Sequence, residues 1–251
     1  MTYQDKVTLK VFFMLAVSVI GIPAYFYMGG SWELALAFTL YGCVTNALAQ
    51  IAYHRWLCHD QFVPHIVGRL AMLYGIVMSA NGSPIQYVYS HLNHHKHSDK
   101  EKDTHNPAEL GLFKMWLGQY KTPEDYISLR FLLRKRDVVF VDKHYWKLYA
   151  LFTLIHFIIT PWLVIWQAFN FTHMWIALTW LNFSAHKDGG PARLGGFSNI
   201  WMMGEGCHDI HHKYSSRLDM SRDDLTDWAG KYYIPMLLAK KCNILIGLKV
   251  E

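Results

Sequence analysis

The chain is short of charge, of cysteine pairs and of the punctuation that separates domains. Charged residues make up 17% of its 251 residues, against roughly 25% in soluble domains. The deficit argues against an ordinary soluble globule and directs attention to the apolar runs. Cys43, Cys58, Cys207 and Cys242 form no C-x-x-C pair, and nothing suggests a disulfide framework. The N-terminal stretch MTYQDKVTLK lacks the order of basic start, short apolar core and small-residue cleavage site that marks a secretory signal. Repeats, low-complexity tracts and an interdomain linker are also missing, so residues 1–251 read as one domain. Nothing in the sequence points to nucleic acid.

What is present in excess is apolar surface and histidine. Hydrophobic residues reach 52% and aromatic residues 16%. Four long apolar stretches are candidate spans, at about 7–28, 34–53, 148–166 and 172–185. A spanning helix needs about 20 mostly apolar residues; the fourth stretch is the shortest. Pro23 and Pro161 are expected to kink their helices. Lys and Arg occur before the first stretch, throughout 54–147 and after 186, and are missing from the links near 29–33 and 167–171. The positive-inside rule then places both termini and the regions 54–147 and 186–251 on the cytoplasmic side. The expected fold is all-α: an integral membrane protein with four transmembrane helices in two hairpins and a cytoplasmic helical cap. The stretch 66–80 reads as an interfacial or re-entrant helix. TPEDYISLRFLLRKR, at 122–136, carries acids early and bases late and reads as a helix of the cap.

The 15 histidines are not scattered. HRWLCH holds His54 and His59, HLNHH holds His91, His94 and His95, and HDIHH holds His208, His211 and His212; NFSAH ends on His186, with Asn182 four residues earlier. Helical positions i, i+3 and i+4 share a face, so the three histidines of each H-x-x-H-H box can point at one centre. His54 and His59 lie about 140° apart on an ideal helix and share a face only if the helix ends or bends between them. Nine imidazoles exceed the roughly four ligands of a zinc site and suit two metals with four or five nitrogens each. Imidazole serves iron, copper, zinc and nickel, so ligand type alone does not choose the metal.

Other residues have plainer readings. His156 and His173, alone on apolar stretches, read as packed or hydrogen-bonded side chains, and His65 and His144 as surface or interface histidines. His97 and His105 sit beside the second box and are placed outside the ligand set, as partners to it. EGCH at 205–208 matches one E-x-x-H of carboxylate di-iron bundles, but those need a second copy and further glutamates. Glu205 is therefore expected to orient a ligand from behind, and Asp99, Asp103, Asp188 and Asp209 are candidates for the same duty.

HRWLCH, HLNHHKHSDKEKDTHNP, NFSAHKDGG and GEGCHDIHH, in this order, resemble the histidine boxes of the membrane-bound fatty acid desaturases, particularly the delta-9 branch that includes stearoyl-CoA desaturase. The resemblance runs over nearly the whole chain. It implies a four-span helical fold with a cytoplasmic cap and two non-haem irons. The implied ligands are His54, His59, His91, His94, His95, His186, His208, His211 and His212, with Asn182 holding a metal-bound water. The implied reaction is dioxygen-dependent removal of two hydrogens from a saturated acyl chain to give a cis double bond. That fits the chemistry, because an unactivated methylene has no acidic proton and a strongly oxidising metal centre must supply the driving force. A bent apolar tunnel would hold the chain, and Trp180, Trp201 and Tyr87 are candidates to line it.

The chain departs from the family pattern at several points. Cys207 stands where Trp is common, and Asp209 and Ile210 where Asn-Asn is common. YSHLNHH lacks the Arg-Asp pair that precedes the first histidine in animal acyl-CoA enzymes, which favours a lipid-linked or carrier-linked chain over a CoA thioester. No H-P-G-G haem motif appears, so electrons are expected from a separate ferredoxin or cytochrome. Two alternatives stand beside the desaturase reading. One is a di-iron membrane hydroxylase or ketolase of the same superfamily. The other is a histidine-rich metal-binding or transport protein of the membrane, whose ligands would lie nearer mid-span.

Overall fold

The computed structural model describes residues 2–202, 204–222 and 224–241; Cys242 lies outside them. Helix α1 (Tyr3–Tyr27) starts with a capping box in which Thr2 Oγ1 accepts from the Asp5 N–H and Asp5 accepts from the Thr2 N–H. Pro23 lies inside α1 without ending it. A tight turn through Gly29, whose φ of 84° suits glycine, reverses the chain. Ser31 then caps α2 (Trp32–Gln50), which runs directly into a π-helical segment, Ile51–Cys58. Among the described residues two helices, Tyr3–Tyr27 and Trp32–Cys58, are long and apolar enough to cross a membrane. Their outer faces expose Phe13, Ile20, Leu36 and Val44, an arrangement suited to acyl chains rather than water.

The second pair is α7 (Arg136–Ile159) and α8 (Pro161–His186). The expected break at 167–171 is corrected here. The chain turns at Thr160, which caps α8 through the Trp162 N–H, and Pro161 starts that helix instead of kinking one. Gln167 and Asn170, which interrupt the apolar run, are buried inside α8; the Gln167 side chain bonds its neighbours, and Asn170 is tied through its backbone carbonyl. Gln167 bonds Thr153 and His156 of α7, and Asn46 of α2 donates to the Asn170 carbonyl at 2.9 Å. The two helices are 24 and 26 residues long, but the first half of α7 is charged and neither meets the apolarity of a span among the described residues.

Helix α3 (Ile66–Met78) matches the expected short helix and packs on α2. Gly75 permits the close approach, since a Cβ there would fall 2.9 Å from the Ala49 nitrogen and the Thr45 carbonyl oxygen. Short helices follow: α4 (Pro84–His97), α5 (Pro107–Trp116), α6 (Arg130–Leu133), α9 (Gly196–Trp201), α10 (His208–Lys213) and α11 (Ile234–Leu237), with a second π-helical segment at Ala229–Tyr233. One small antiparallel pair joins β1 (Phe62–Pro64) to β2 (Leu238–Lys241).

The helix expected over 122–136 does not form as one unit: residues 121–129 are irregular and only Arg130–Leu133 is helical before α7 begins. Asp125, the acid expected in its first turn, is taken by Lys96, His97 and Lys102, and its backbone carbonyl accepts from Tyr89 Oη. Tertiary ion pairing overrides the local pattern.

Helix α8 is the hub, packed against α1, α2, α5 and α7. The largest core lies where the π-helical segment meets α3, α4 and α7, around Tyr53, Trp56, Met72, Ile76 and Tyr145. This core holds the π-helical segment, which carries His54, against α4, which carries the second histidine box.

Candidate metal centre

The π-helical segment resolves the spacing of the first box. Hydrogen bonding of the i→i+5 type brings residues five apart towards one face, and the ring centroids of His54 and His59 are 5.1 Å apart. Helix α4 carries His91, His94 and His95, the last turn of α8 carries Asn182 and His186, and α10 carries His208, His211 and His212.

These nine histidines fall into two groups. His54, His59, His91, His95 and His211 form one, and His94, His186, His208 and His212 the other; within each group the ring nitrogens lie within 4.8 Å of one another. Each H-x-x-H-H box is therefore split, which corrects the expectation that its three histidines meet at one centre. The i, i+4 pair goes to one group, His91 with His95 and His208 with His212. The third member, His94 or His211, crosses to the other. Two boxes arranged this way tie the two positions together.

The nitrogens face inwards. Nε2–Nε2 separations are 2.9 Å for His54–His211, 3.1 Å for His59–His91, 2.9 Å for His95–His211, 2.8 Å for His186–His208 and 3.1 Å for His208–His212. Two nitrogens bound at about 2.1 Å to one metal, at right angles, sit about 3.0 Å apart. His211 Nε2 faces two other Nε2 atoms, as does His208 Nε2, so protons alone satisfy the cluster poorly. His94 Nε2 is buried without any hydrogen-bond partner, a costly state for an imidazole nitrogen unless it donates its lone pair to a cation. The donor set and the orphaned nitrogen both fit metal ions.

The electrostatics agree. His59, His91, His94, His208 and His211 have pKa values well below the usual histidine range, first through burial and then through neighbouring imidazoles. The same causes push His95 down to about 3 and His212 to about 2. Neutral imidazole is the form that ligates metal.

Carboxylates stand beside Nδ1 of three of the rings. Asp103 and Asp99 accept hydrogen bonds there, which fixes the tautomer and turns Nε2 to the metal, whereas Glu205 makes a close electrostatic contact with His54 without hydrogen-bond alignment. Glu205 Oε2 lies 3.1 Å from His54, Asp103 Oδ1 2.9 Å from His94 and Asp99 Oδ2 3.0 Å from His186. Burial alone would raise the Glu205 carboxyl, but Arg55 and His54 beside it hold it down at about 2. Asp209 is drawn away to Arg222 at 2.8 Å, and Asp188 pairs with no histidine among the described residues. His105 stacks on His94 with ring centroids 4.0 Å apart and lies with Asp103 in a third, smaller cluster. His97 binds Asp125 instead. His156 bonds Tyr41 and Gln167, and Trp201 Nε1–H donates to His173 at 2.6 Å. His65 caps α3 and His144 packs against Phe140.

One cavity adjoins the histidines and a second abuts it. The first, of about 340 Å³, is lined by His54, His91, His208 and Asn182 together with Tyr87, Tyr120 and Trp175. The second, of about 330 Å³ and mostly apolar, runs past Cys43, Met174, Ala177 and Trp201 to Glu205. Gln50, Leu178 and Leu181 line both, so the two spaces abut beside the centre. Of the aromatics expected at a tunnel wall, Tyr87 and Trp201 are there; Trp180 instead donates to Ser198 on an exposed face. Sequence reasoning missed the buried ion pairs of Arg55 with Glu205 and Asp227. No motif marks Asp227, and an arginine beside a box histidine in a basic region gives no sign of being buried.

No protein-family model matches the chain. Among characterised proteins it is similar to the icosanoyl-CoA 5-desaturase of Limnanthes douglasii, at 27% identity over 84% of this chain and 62% of that protein. It is 28% identical to the sn-1 stearoyl-lipid 9-desaturase of Anabaena variabilis over 85% of each chain, and 26% identical to the enzyme of the same name from Synechocystis over 93% of this chain and 79% of that one. The chain spans about three fifths of the plant relatives it matches, 62% of the Limnanthes protein and 60–62% of two delta-9 desaturase-like proteins of Arabidopsis thaliana. It is thus related, at low identity but over most of its length, to acyl-lipid and delta-9 desaturases.

Proposed function

We propose that this desaturase relative is an oxidoreductase that uses dioxygen to introduce a cis double bond into a saturated acyl chain, with two non-haem irons held by the nine histidines. The observation that carries the reading is the division of those histidines into groups of five and four beside a pair of adjoining cavities. When bound, the iron pair supplies the oxidising power to break unactivated C–H bonds. Two hydrogens with their electrons leave the chain, a separate ferredoxin or cytochrome supplies two more electrons, two protons come from solvent, and dioxygen ends as two waters.

The protein's part is placement. Asp99 and Asp103 hold two rings in the tautomer that presents Nε2, and Glu205 places its negative charge beside a third. Asn182, at the wall of the first cavity beside His54 and His208, would hold a water on the metal of the four-histidine group. The apolar walls keep bulk water from the reacting methylenes and hold the chain in register. A chain threaded through both cavities would pass the centre at its middle, which suits bond formation at a mid-chain position such as delta-9. The names of the relatives include both 5- and 9-desaturases and both CoA and lipid carriers. The missing Arg-Asp pair before His91 favours a lipid-linked substrate. The proposed setting is a membrane crossed by two helical hairpins, with the termini and metal centre on the cytoplasmic side.

The test is expression in a bacterium without an aerobic desaturase, with a compatible ferredoxin system, followed by fatty-acid profiling by gas chromatography–mass spectrometry. A new cis monoene, missing from His94→Ala and His211→Ala cells, is the expected result. A hydroxylated product would move the assignment to the hydroxylases. Growth-medium metal accumulation without any oxygen-dependent product would favour a metal-binding or transport role.

A further inference from the structure

The ion pairs behind His54 extend further than a ligand and its acceptor require. Arg55 is fully buried and lies between two carboxylates: its Nε donates to Glu205 Oε1 at 2.8 Å, and its Nη1 is 3.1 Å from Asp227 Oδ2. Glu205, through its other oxygen, faces His54 Nδ1. Asp227 is 0% exposed and accepts from the backbone N–H groups of Met220 and Gly230, at 3.1 and 2.8 Å. Every hydrogen-bonding neighbour of the Asp227 carboxyl is a donor; burial pushes the carboxyl above its ordinary value, and Arg55 and the two backbone N–H groups oppose that. The backbone is closed tightly around it. A Cβ on Gly230 would fall 2.6 Å from Asp227 Oδ2, and one on Gly204 would fall 2.6 Å from the Asp227 Cα.

A buried arginine with one carboxylate forms a neutral pair, in which the guanidinium competes with His54 for the electron density of Glu205. A second carboxylate on the guanidinium changes that balance. It draws part of the positive charge to the other edge of Arg55 and leaves more negative charge on Glu205, whose Oε2 lies 3.1 Å from His54 Nδ1. It also fixes the guanidinium plane, and with it the position of Glu205. We infer that Asp227 is a positioning residue for the five-histidine metal position, acting through Arg55 and Glu205 on His54. The segment 218–230, which contributes no histidine, would thereby set the metal affinity of one position and not the other. This rests on the reading of the nine histidines as a two-metal centre.

The test uses the full chain in detergent, freed of metal and titrated with cobalt(II) against a competing chelator. Binding is followed by elemental analysis and by the visible absorption of the bound ion. Wild type is expected to take two cobalt ions. Asp227→Asn should weaken one of them by about 10–100-fold, the usual effect of removing an outer partner of a ligand, and leave the other unchanged. Glu205→Gln should weaken the same one, and the double variant should match Glu205→Gln alone, because both lie on one path. Arg55→Lys, which keeps the charge but cannot reach both carboxylates with a planar fork, should reproduce the single-site loss and serves if Asp227→Asn does not fold. Equal weakening of both ions, unchanged binding, or additive losses in the double variant would overturn the inference while leaving the metal centre intact. A wild-type chain that binds no cobalt would overturn the two-metal reading and the inference with it.

Discussion

Asp103→Asn tests whether the carboxylates behind the histidines set metal binding. Asp103 is 0% exposed, and its two oxygens serve three donors: Oδ1 accepts from His94 Nδ1–H at 2.9 Å and from the His105 N–H at 3.0 Å, and Oδ2 from the Asp99 N–H at 2.9 Å. Asparagine keeps one acceptor. The cheaper orientation turns its amide NH₂ towards the Asp99 N–H and leaves two donors facing each other, at a cost of about 1–3 kcal/mol to the metal-free fold. The retained oxygen still holds His94, but as a neutral acceptor, and charge-assisted bonds are roughly twice as strong. Loss of such a partner lowers metal affinity by about 10–100-fold, or about 1.4–2.7 kcal/mol. Because His94 belongs to the four-histidine group, only that position should weaken. Chelator-competition titration with cobalt(II) reads the affinities, and thermal unfolding of the metal-free protein in detergent reads the stability term. Equal loss at both positions, or none, would refute the reasoning.

Three further outcomes follow from the geometry. The metal-free protein should lose stability as pH falls below the ordinary histidine value of about 6.5. The unfolded chain protonates there, while the buried rings, His95 at about 3 and His212 at about 2 among them, do so only at much lower pH; a melting temperature constant from pH 7 to 5 would contradict this. Gly75→Ala should destabilise by about 1–3 kcal/mol, since its Cβ meets backbone of α2 that cannot yield, and the measure is thermal unfolding beside wild type. Cys207, buried and with its thiol pushed up to about 11, should resist maleimide at pH 7 in a Cys242→Ser background, where exposed Cys43 should label with an apolar reagent; mass spectrometry of the peptides distinguishes them.

The histidines were legible as a set because H-x-x-H-H imposes a helical face, and the same argument misassigned their grouping. Periodicity places His91, His94 and His95 on one side of α4, but it does not say that His94 lies closer to His186 than to His59. That depends on how α8 and α10 meet α4, which is a tertiary fact. The first box carried a stated condition, a bend between His54 and His59, and the structure meets it with a π-helical segment that propensity does not encode. The first two apolar helices were readable by length. The second hairpin was misread because Gln167 and Asn170 look like a link, whereas the Gln167 amide bonds Thr153 and His156, and the backbone carbonyl of Asn170 accepts from Asn46, between helices. Asp125 shows the same limit at 122–136, where Lys96, His97 and Lys102 outside the segment outweigh its helical pattern. Asp227 gave no signal, since it is one of four aspartates in the polar stretch 219–227, and acids in such a stretch are ordinarily solvated.

The most direct test of the central claim is the iron content of the purified full chain, by elemental analysis together with Mössbauer spectroscopy on protein grown with ⁵⁷Fe. Two irons per chain in nitrogen- and oxygen-donor environments are expected. His94→Ala and His211→Ala should each perturb the site that loses its ligand. One iron, or none after reconstitution under anaerobic conditions, would contradict the central claim.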